Sequence, residues 1–552
     1  MNLSAEERAI GKTNFQSAVG SELTRREFLA GSVAAAAAGG AGLGAFYFGY
    51  TKVNDPVRVG VIGTGDEGNV LINNITPDYL DVVAISDIRP YNVYRAFNGD
   101  QSSPSAAANR CGLMKKYGWK TEDAAHKHVT VYQDYKELLK NKDVEGIIIA
   151  LPLHLHDVVA IEAMRAGKHV LTEKLMAHSI GQCKDMGRVS KQMQKLLATG
   201  HQRHYSILYD NAVDTLKRGL IGDVHCIRAQ WHRGNLPGKD SWKQPMPAEL
   251  VDKLADLEAK LDKDPGNSAL LKQKTIWEEQ IRDKDVDAVK YGYQEKTLPG
   301  GYVVSPLEEL IRWRLWMRTG GGLMAELGSH QLDASGIFCT AQRTDGKKAR
   351  PLMVSAVGVR SIFPHDREVD DHVQCVYEYP APNYDAKDPD LAEKKIIVSY
   401  SSINGNGFGG YGEVVMGTKG TLILENEQEV MLFKDASTTT SVGVVKGKGG
   451  PTLDTTASGG GVAAEAGKKG LEAGPVSRGY TEEMEHWAWC IRNFDYRENQ
   501  PKCQPKVAMA DAIIALTTNI AMRENKRIEF KDEWFDIDND ETPEGKPPSI
   551  KA

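Results

Sequence analysis

Residues 57–87, VRVGVIGTGDEGNVLINNITPDYLDVVAISD, leave few folds open. An apolar, β-rich run from Val57 to Ile62 turns through Gly63-Thr64-Gly65-Asp66-Glu67-Gly68. It continues over the length of a helix and re-emerges as a second run, Val82 to Ser86, that ends in Asp87. This is one βαβ unit with a glycine fingerprint at its turn. Gly63 permits the tight turn, Gly65 lets backbone N–H groups approach a pyrophosphate, and Gly68 lets the helix lie close on the strand. Asp87 stands 22 positions after Gly65 (87 − 65), where a carboxylate can accept from a ribose hydroxyl. A lone GxGxxG is weak, but strand, helix and acid together predict a dinucleotide-binding domain. Asp87 would repel a ribose phosphate, which favours NAD. Arg89 could attract one, which leaves NADP open.

The rest of the composition is ordinary. With 552 residues, 41% hydrophobic, 26% charged and a formal charge of −6, the chain is long enough for two or more globular domains and carries no polybasic field for nucleic acid. Seven cysteines, at 111, 183, 226, 339, 375, 490 and 503, lack CxxC or Cys/His metal spacing and read as reduced thiols. Residues 1–50 are expected to lie outside the fold: Thr24-Arg25-Arg26-Glu27-Phe28-Leu29 is a twin-arginine signature, followed by the apolar run Leu29 to Tyr50. That run is long enough to span a bilayer, and no clean A-x-A site precedes Thr51, so an uncleaved anchor is one outcome. The twin-arginine machinery moves folded proteins, so the leader implies periplasmic or extracytoplasmic export with the nucleotide already bound and regenerated in place.

Residues 51–200 are expected to form the Rossmann domain. Gly146 to Ala150 is a near-continuous apolar strand, of the kind buried on both faces of a parallel sheet, and it runs into Pro152 and His156. The strand His169 to Thr172 ends at Glu173-Lys174, and strand ends in such sheets are where ligands sit. The stretch ALPLHLHDVVAIEAMRAGKHVLTEKL resembles the nicotinamide-side segment of the glucose-fructose oxidoreductase and inositol dehydrogenase family (Gfo/Idh/MocA), which reads TP, then H, then AGKHVLxEKP. The likeness extends from Val57 to about Phe530. It implies an α/β chain: a Rossmann domain, then an α+β domain with an open, mostly antiparallel sheet whose face forms a sugar site. Leu175 stands where the family has proline, which makes the local geometry at Lys174 a point of departure.

Residues 201–434 are expected to be that second domain. It is interrupted at 246–300 by a helical hairpin, with Leu250, Leu254, Leu257 and Leu261 at helical spacing, whose role is either a cap on the substrate cleft or a subunit contact. Residues 435–478 read as a flexible low-complexity segment, 479–531 as two helices returning to the first domain, and 532–552 as a loose acidic tail. Within the second domain, Gly320-Gly-Gly322, Glu326, His330 and Asp333 match the family's GGG…D…H…D, with Glu326 in place of the usual Asp. On a helix Glu326 and His330 share a face. A metal held by Glu326 and His330 finds no third ligand at metal spacing, so none is expected.

Hydride transfer to NAD needs a base for the hydroxyl proton and a donor for the developing carbonyl oxygen. The resemblance and this chemistry together assign His330 as base, Lys174 as the stabilising donor and Glu326 as the group that orients His330. Gly63, Thr64, Gly65, Gly68, Asp87, Arg89, Pro152, His156, Glu173 and Lys174 are assigned to the cofactor. Gln202, His204, Trp231 and Asp333 are assigned to the substrate wall. The expected function is an exported NAD(P)-dependent oxidoreductase acting on a sugar, sugar acid or polyol as a homo-oligomer. An alternative is a glycosidase that uses NAD transiently through oxidation and elimination, and a second is a sugar-binding protein without turnover.

Overall fold

A computed structural model describes residues 3–23, 47–447, 450–455, 462–472 and 478–552; the twin-arginine stretch and most of the apolar run behind it lie outside these. Strands β1 (Val57–Ile62), β2 (Leu80–Ser86), β3 (Thr130–Tyr132), β4 (Gly146–Ile149), β5 (His169–Thr172) and β6 (Leu197–Thr199) form one parallel sheet in the order β3-β2-β1-β4-β5-β6. Every residue of β4, β5 and β6 is buried. Such runs without alternation suit strands covered by helices on both faces. The order reverses between β1 and β4, so their carboxyl ends open the crevice where a Rossmann ligand binds.

Eight more strands build the second sheet: β7 (Val224–His232), β10 (Met353–Val359), β11 (His372–Pro380), β12 (Lys395–Ile403), β13 (Tyr411–Gly417), β14 (Gly420–Glu425), β15 (Glu429–Lys434) and β18 (Ile528–Glu529). Their order is β15-β14-β13-β7-β12-β11-β10-β18, antiparallel except for the parallel pair β7–β12. Burial alternates along β11 and β12, leaving one face to the core and one to solvent. Short pairs β8 (Lys296–Thr297) with β9 (Val303–Val304), and β16 (Gly443–Gly447) with β17 (Gly450–Asp454), complete the strands. The helix Ser329–Ala341 lies on the buried face and carries His330 at its start. All seven cysteines are free thiols.

The structure corrects three expectations about the periphery. Residues 5–23 belong to the fold: helix Ala5–Leu23 buries Phe15, Ala18 and Val19, and Asn14 Nδ2 donates to Leu432 O of β15 at 3.0 Å. Residues 435–478 are not a featureless excursion, because they hold the β16–β17 hairpin and a helix, Val462–Glu472, packed on that first helix. Gly20 and Gly467 allow the approach, since a Cβ at Gly467 would sit 1.9 Å from Gln16 O. The acidic tail is docked. Lys184 Nζ, fully buried, donates to Glu533 O, Asn539 O and Glu541 O, and Arg188 donates to Ile537 O and Ile550 O. Backbone carbonyls, which composition does not reveal, accept from both buried cations, and Asp540 pairs with Arg188 at 2.9 Å. Deleting residues 532–552 is expected to lower stability by about 3–5 kcal/mol, the order of cost for leaving buried charge without its partners. Thermal unfolding checks this, and an unchanged midpoint would show that the docking contributes little.

Among the described residues, no helix is long and apolar enough to cross a membrane.

Candidate active site

The fingerprint turn is built as its glycines require. Gly63 has φ +88°, and a Cβ there would lie 2.3 Å from Ala150 O at the end of β4; a Cβ at Gly68 would lie 2.1 Å from Gly63 O. Both are packing requirements. At Gly65 the nearest atom to such a Cβ is Asn92 Nδ2 at 3.7 Å, so the open space is on the ligand side. Gly65 is also the N-cap of helix Asp66–Asn74, and no side chain caps it, which leaves its first amides to an anion. Asp87 Oδ2 accepts from Thr64 N (2.8 Å) and Asn92 Nδ2 (3.1 Å), while Oδ1 accepts from Arg89 N (2.9 Å). A cavity of about 350 Å³ adjoins Asp87, lined also by Val93, Phe97, His126, Gln133 and Arg282. Two buried carboxylate oxygens, Glu67 Oε1 and Glu173 Oε1, carry no hydrogen bond. They suit the donor of a nicotinamide carboxamide. Burial, reinforced by Glu67, pushes Glu173 up to about 8. These residues fit NAD.

Arg89 is already engaged within the protein. Its Nε and Nη2 both reach Asp283 Oδ2 at 2.8 Å, and Asp283 is fully buried at the foot of the inserted hairpin. That hairpin, Pro247–Leu261 and Ser268–Ile281, caps neither the substrate cleft nor, within this chain, the second sheet. It packs on helix Pro90–Asn98 of the Rossmann domain. Behind it Tyr293 and Leu310 cluster with Ile88, just past Asp87. Asp283→Ala should release Arg89 and raise NADP affinity relative to NAD about tenfold, the value of one charge-assisted hydrogen bond. Cofactor titration checks it, and an unchanged ratio would leave Asp87 alone as the discriminator.

At the other end of the crevice, Lys174 Nζ donates to Glu326 O at 2.8 Å, across the domain boundary. The Lys174–Leu175 peptide is cis although residue 175 is not proline. Glu326 lies in a widened, π-type turn, Met324–Gly328, that leads into the His330 helix. The widening breaks the four-residue register expected of Glu326 and His330. The Glu326 carboxylate instead accepts from Arg314 Nε at 3.0 Å, so it does not orient His330. Burial alone would raise Glu326; Arg314, Lys174 and Arg233 override it and hold the group below its usual range. The His330 ring lies 5.4 Å from that of Trp231, which stacks on Tyr411 at 4.3 Å. Burial, then the charges of Lys174 and Arg203, hold His330 well below the ordinary histidine value. A neutral imidazole beside an ammonium results.

Other expected residues are placed elsewhere. Pro152 caps the turn after β4. His156 is buried, with Nδ1 2.8 Å from Leu175 O and Nε2 2.8 Å from Leu151 O; it ties two crevice loops together and has no free nitrogen for a cofactor. Gln202 is buried beside Glu427 (3.4 Å). His204 Nε2 and Asp333 Oδ1 pair at 2.8 Å in a buried cluster with His201 and Asp511. His201, Asp333 and Asp511 have the spacing of a metal site, but Lys348 Nζ already stands 2.7 Å from both Asp511 oxygens and 3.2 Å from Asp333. Of the four substrate residues, Trp231 borders His330. Arg233, Arg314 and Tyr411 were missed; they come from loops and strand ends without periodicity, and only the run Trp231-His232-Arg233 at the end of a strand hinted at one of them.

The fold thus pairs a Rossmann-type parallel sheet domain with a second domain built on a mixed, mostly antiparallel sheet. Residues 57–201 match the model of the Gfo/Idh/MocA family, described as an oxidoreductase family with an NAD-binding Rossmann fold. An uncharacterized oxidoreductase of Rhizobium meliloti is 30% identical over 34% of this chain and 48% of its own length. Inositol 2-dehydrogenase 1 of Saccharopolyspora erythraea is 28% identical over 31% of this chain and 45% of its own. The chain therefore spans less than half the length of these relatives. The WlbA dehydrogenase of Bordetella pertussis, solved with NADH and UDP-GlcNAcA, superposes with a TM-score of 0.52 at 13% identity, covering 87% of this chain and 99% of that one. At that identity the likeness concerns the fold alone.

Proposed function

We propose that this protein is an NAD-dependent oxidoreductase that acts on a hydroxyl-bearing carbon of a sugar, sugar acid or polyol. The observation that carries this reading is the meeting of Lys174, from the end of β5, with the turn before His330, from the second domain, at the open side of the fingerprint crevice. Bound NAD would supply the hydride acceptor. The neutral His330 takes the hydroxyl proton, and Lys174 steadies the oxygen as negative charge develops on it. Trp231 and Tyr411 form an aromatic wall suited to the apolar face of a sugar ring. Incubation with NAD and a sugar panel tests the reading through nicotinamide absorbance. Release of an aglycone from an aryl glycoside with no net redox change would favour the eliminating glycosidase instead.

The twin-arginine stretch supports export of the folded protein. Because helix Ala5–Leu23, upstream of that stretch, packs on the second sheet, the same reading includes a retained leader. Intact mass of the exported protein checks it: loss of residues 1–50 would remove the leader from the reading. Exposed Val357, Val359, Val376 and Ile397 on the outer face of the second sheet support a homo-oligomer.

A further inference from the structure

The cleft holds the carboxyl groups of Glu67, Glu173 and Glu326 together with more than one cation. Three cations, Arg314, Lys174 and Arg233, act on the single carboxylate of Glu326. Arg314 is paired with that carboxylate, and Lys174 is bonded to the carbonyl of the same residue. Arg233 has neither arrangement. Its backbone N–H donates to Ile403 O at 2.8 Å, which fixes it just past the end of β7, yet among the described residues its guanidinium has no hydrogen bond and no carboxylate partner. Two indoles position it instead: it lies 5.7 Å from the ring centroid of Trp231 and 6.0 Å from that of Trp242. Trp231 is the ring that also borders His330.

A half-buried guanidinium with no acceptor in the protein keeps its five donors for solvent or a ligand, since the aromatic faces beside it accept only weakly. The strongly buried arginines of the second domain have carboxylate oxygens: Arg203 has Glu427 and Glu413, Arg312 has Glu308 and Glu249, and Arg367 has Asp366 and Asp240. The pyrophosphate of a dinucleotide does not supply the missing partner, since the open amides of the fingerprint helix are in the first domain and Arg233 is on the substrate sheet. The stacked, planar fork left by this arrangement matches two oxygens of an oxyanion.

We infer that Arg233 is a substrate-specificity residue that binds an oxyanion group, carboxylate or phosphate, on the sugar whose hydroxyl meets His330 and Lys174. The inference rests on the oxidoreductase reading for the second half of that sentence only. Neutral polyols then become poor substrates, and among sugars the acids and phosphates are preferred. Glu326 bears on the same choice, because its charge already neutralises Arg314 and so leaves Arg233 as the unpaired cation.

The test is calorimetric titration of the full chain, with NAD present, against D-glucuronate, D-glucose 6-phosphate and D-glucose at one ionic strength. It uses the native protein, Arg233→Gln and Arg233→Lys, each first matched for thermal midpoint. At least one anionic sugar is expected to bind tenfold or more tightly than glucose. That margin should collapse in Arg233→Gln and return in part in Arg233→Lys, a pattern that a merely structural arginine would not give. Tighter glucuronate identifies a carboxylate, and tighter glucose 6-phosphate identifies a phosphate. Equal binding of the three, no binding of either anion, or a margin that survives Arg233→Gln overturns the inference. Turnover is read separately. Arg233-dependent anion binding without any change in nicotinamide absorbance leaves this inference standing and removes the oxidoreductase reading, whereas oxidation of glucose with both anions ignored does the reverse.

Discussion

Replacing His330 by alanine is expected to lower kcat/KM about 10²–10⁴-fold, the contribution of a positioned general base, with little change in cofactor affinity. The sign of the pH dependence follows from the site. Only the neutral imidazole accepts the proton, and burial together with the nearby Lys174 and Arg203 charges holds His330 well below 6.5. The base is therefore fully available at neutral pH, and kcat/KM should stay flat as the pH falls until it enters an acid limb centred below about 6.5. Lys174→Met should cost a similar factor by removing the donor to the developing oxyanion. It also removes a cation from beside His330, so the residual acid limb should move to higher pH. That displacement separates a working pair from two residues that merely pack together. The double variant should cost little more than either single one, because groups that act as a unit are not additive. Pre-steady-state and pH-resolved kinetics on the preferred sugar provide the check. An acid limb at or above 6.5 in the native protein, or one unmoved by Lys174→Met, would mean that His330 is not the base.

The same depressed value has a consequence for folding. A histidine whose folded pKa lies below its unfolded one binds fewer protons when folded, so its contribution is present above about 6.5 and is lost progressively as the pH falls from that unfolded value through the lower folded one. His330→Ala should therefore flatten stability over that interval while lowering turnover.

What the sequence revealed and what it hid divide along physical lines. The βαβ unit was legible because glycine positions, strand hydrophobicity and the acid at Asp87 are all local, and each is a requirement of one turn. Lys174 and His330 were legible only through resemblance, since 156 residues (330 − 174) separate them and nothing local says that they meet. Glu326 shows the limit of periodicity: four residues before His330 implies a shared face on an α-helix, but the π-type turn changes the register and hands the carboxylate to Arg314. Asp333 and His204 fail for a related reason. Both carry active-site chemistry, yet Lys348 and Asp511, remote in sequence, draw them into a buried ionic cluster. The tail and the first helix were misread because composition reports charge and apolar content but not docking partners, here backbone carbonyls and the edge of a sheet.

Gly65→Ala should weaken nucleotide binding while leaving the fold intact, whereas substitutions at its neighbours Gly63 and Gly68 should cost stability. At Gly65 the backbone has φ −70°, which alanine tolerates, and the added methyl meets nothing closer than 3.7 Å. The apoprotein should therefore unfold within about 0.5–1 kcal/mol of the native chain. The methyl would nevertheless project into the space left for closest backbone approach to the pyrophosphate, and loss of the amide contacts there should weaken NAD by about 2–4 kcal/mol, on the order of 30- to 1,000-fold. Gly68→Ala instead drives a methyl to 2.1 Å from Gly63 O, and Gly63→Ala combines a positive φ with a 2.3 Å contact to Ala150 O, so both should cost stability before any ligand is added. If the native protein retains nucleotide on purification, its thermal midpoint contains a linkage contribution that grows with the ratio of ligand to Kd, and Gly65→Ala should lose that increment alone. Mass spectrometry of retained ligand, with thermal unfolding before and after added NAD, distinguishes the three variants. Normal NAD affinity in Gly65→Ala would mean that no pyrophosphate crosses this turn, and the assignments of Lys174 and His330, which depend on a nicotinamide delivered from it, would fall together.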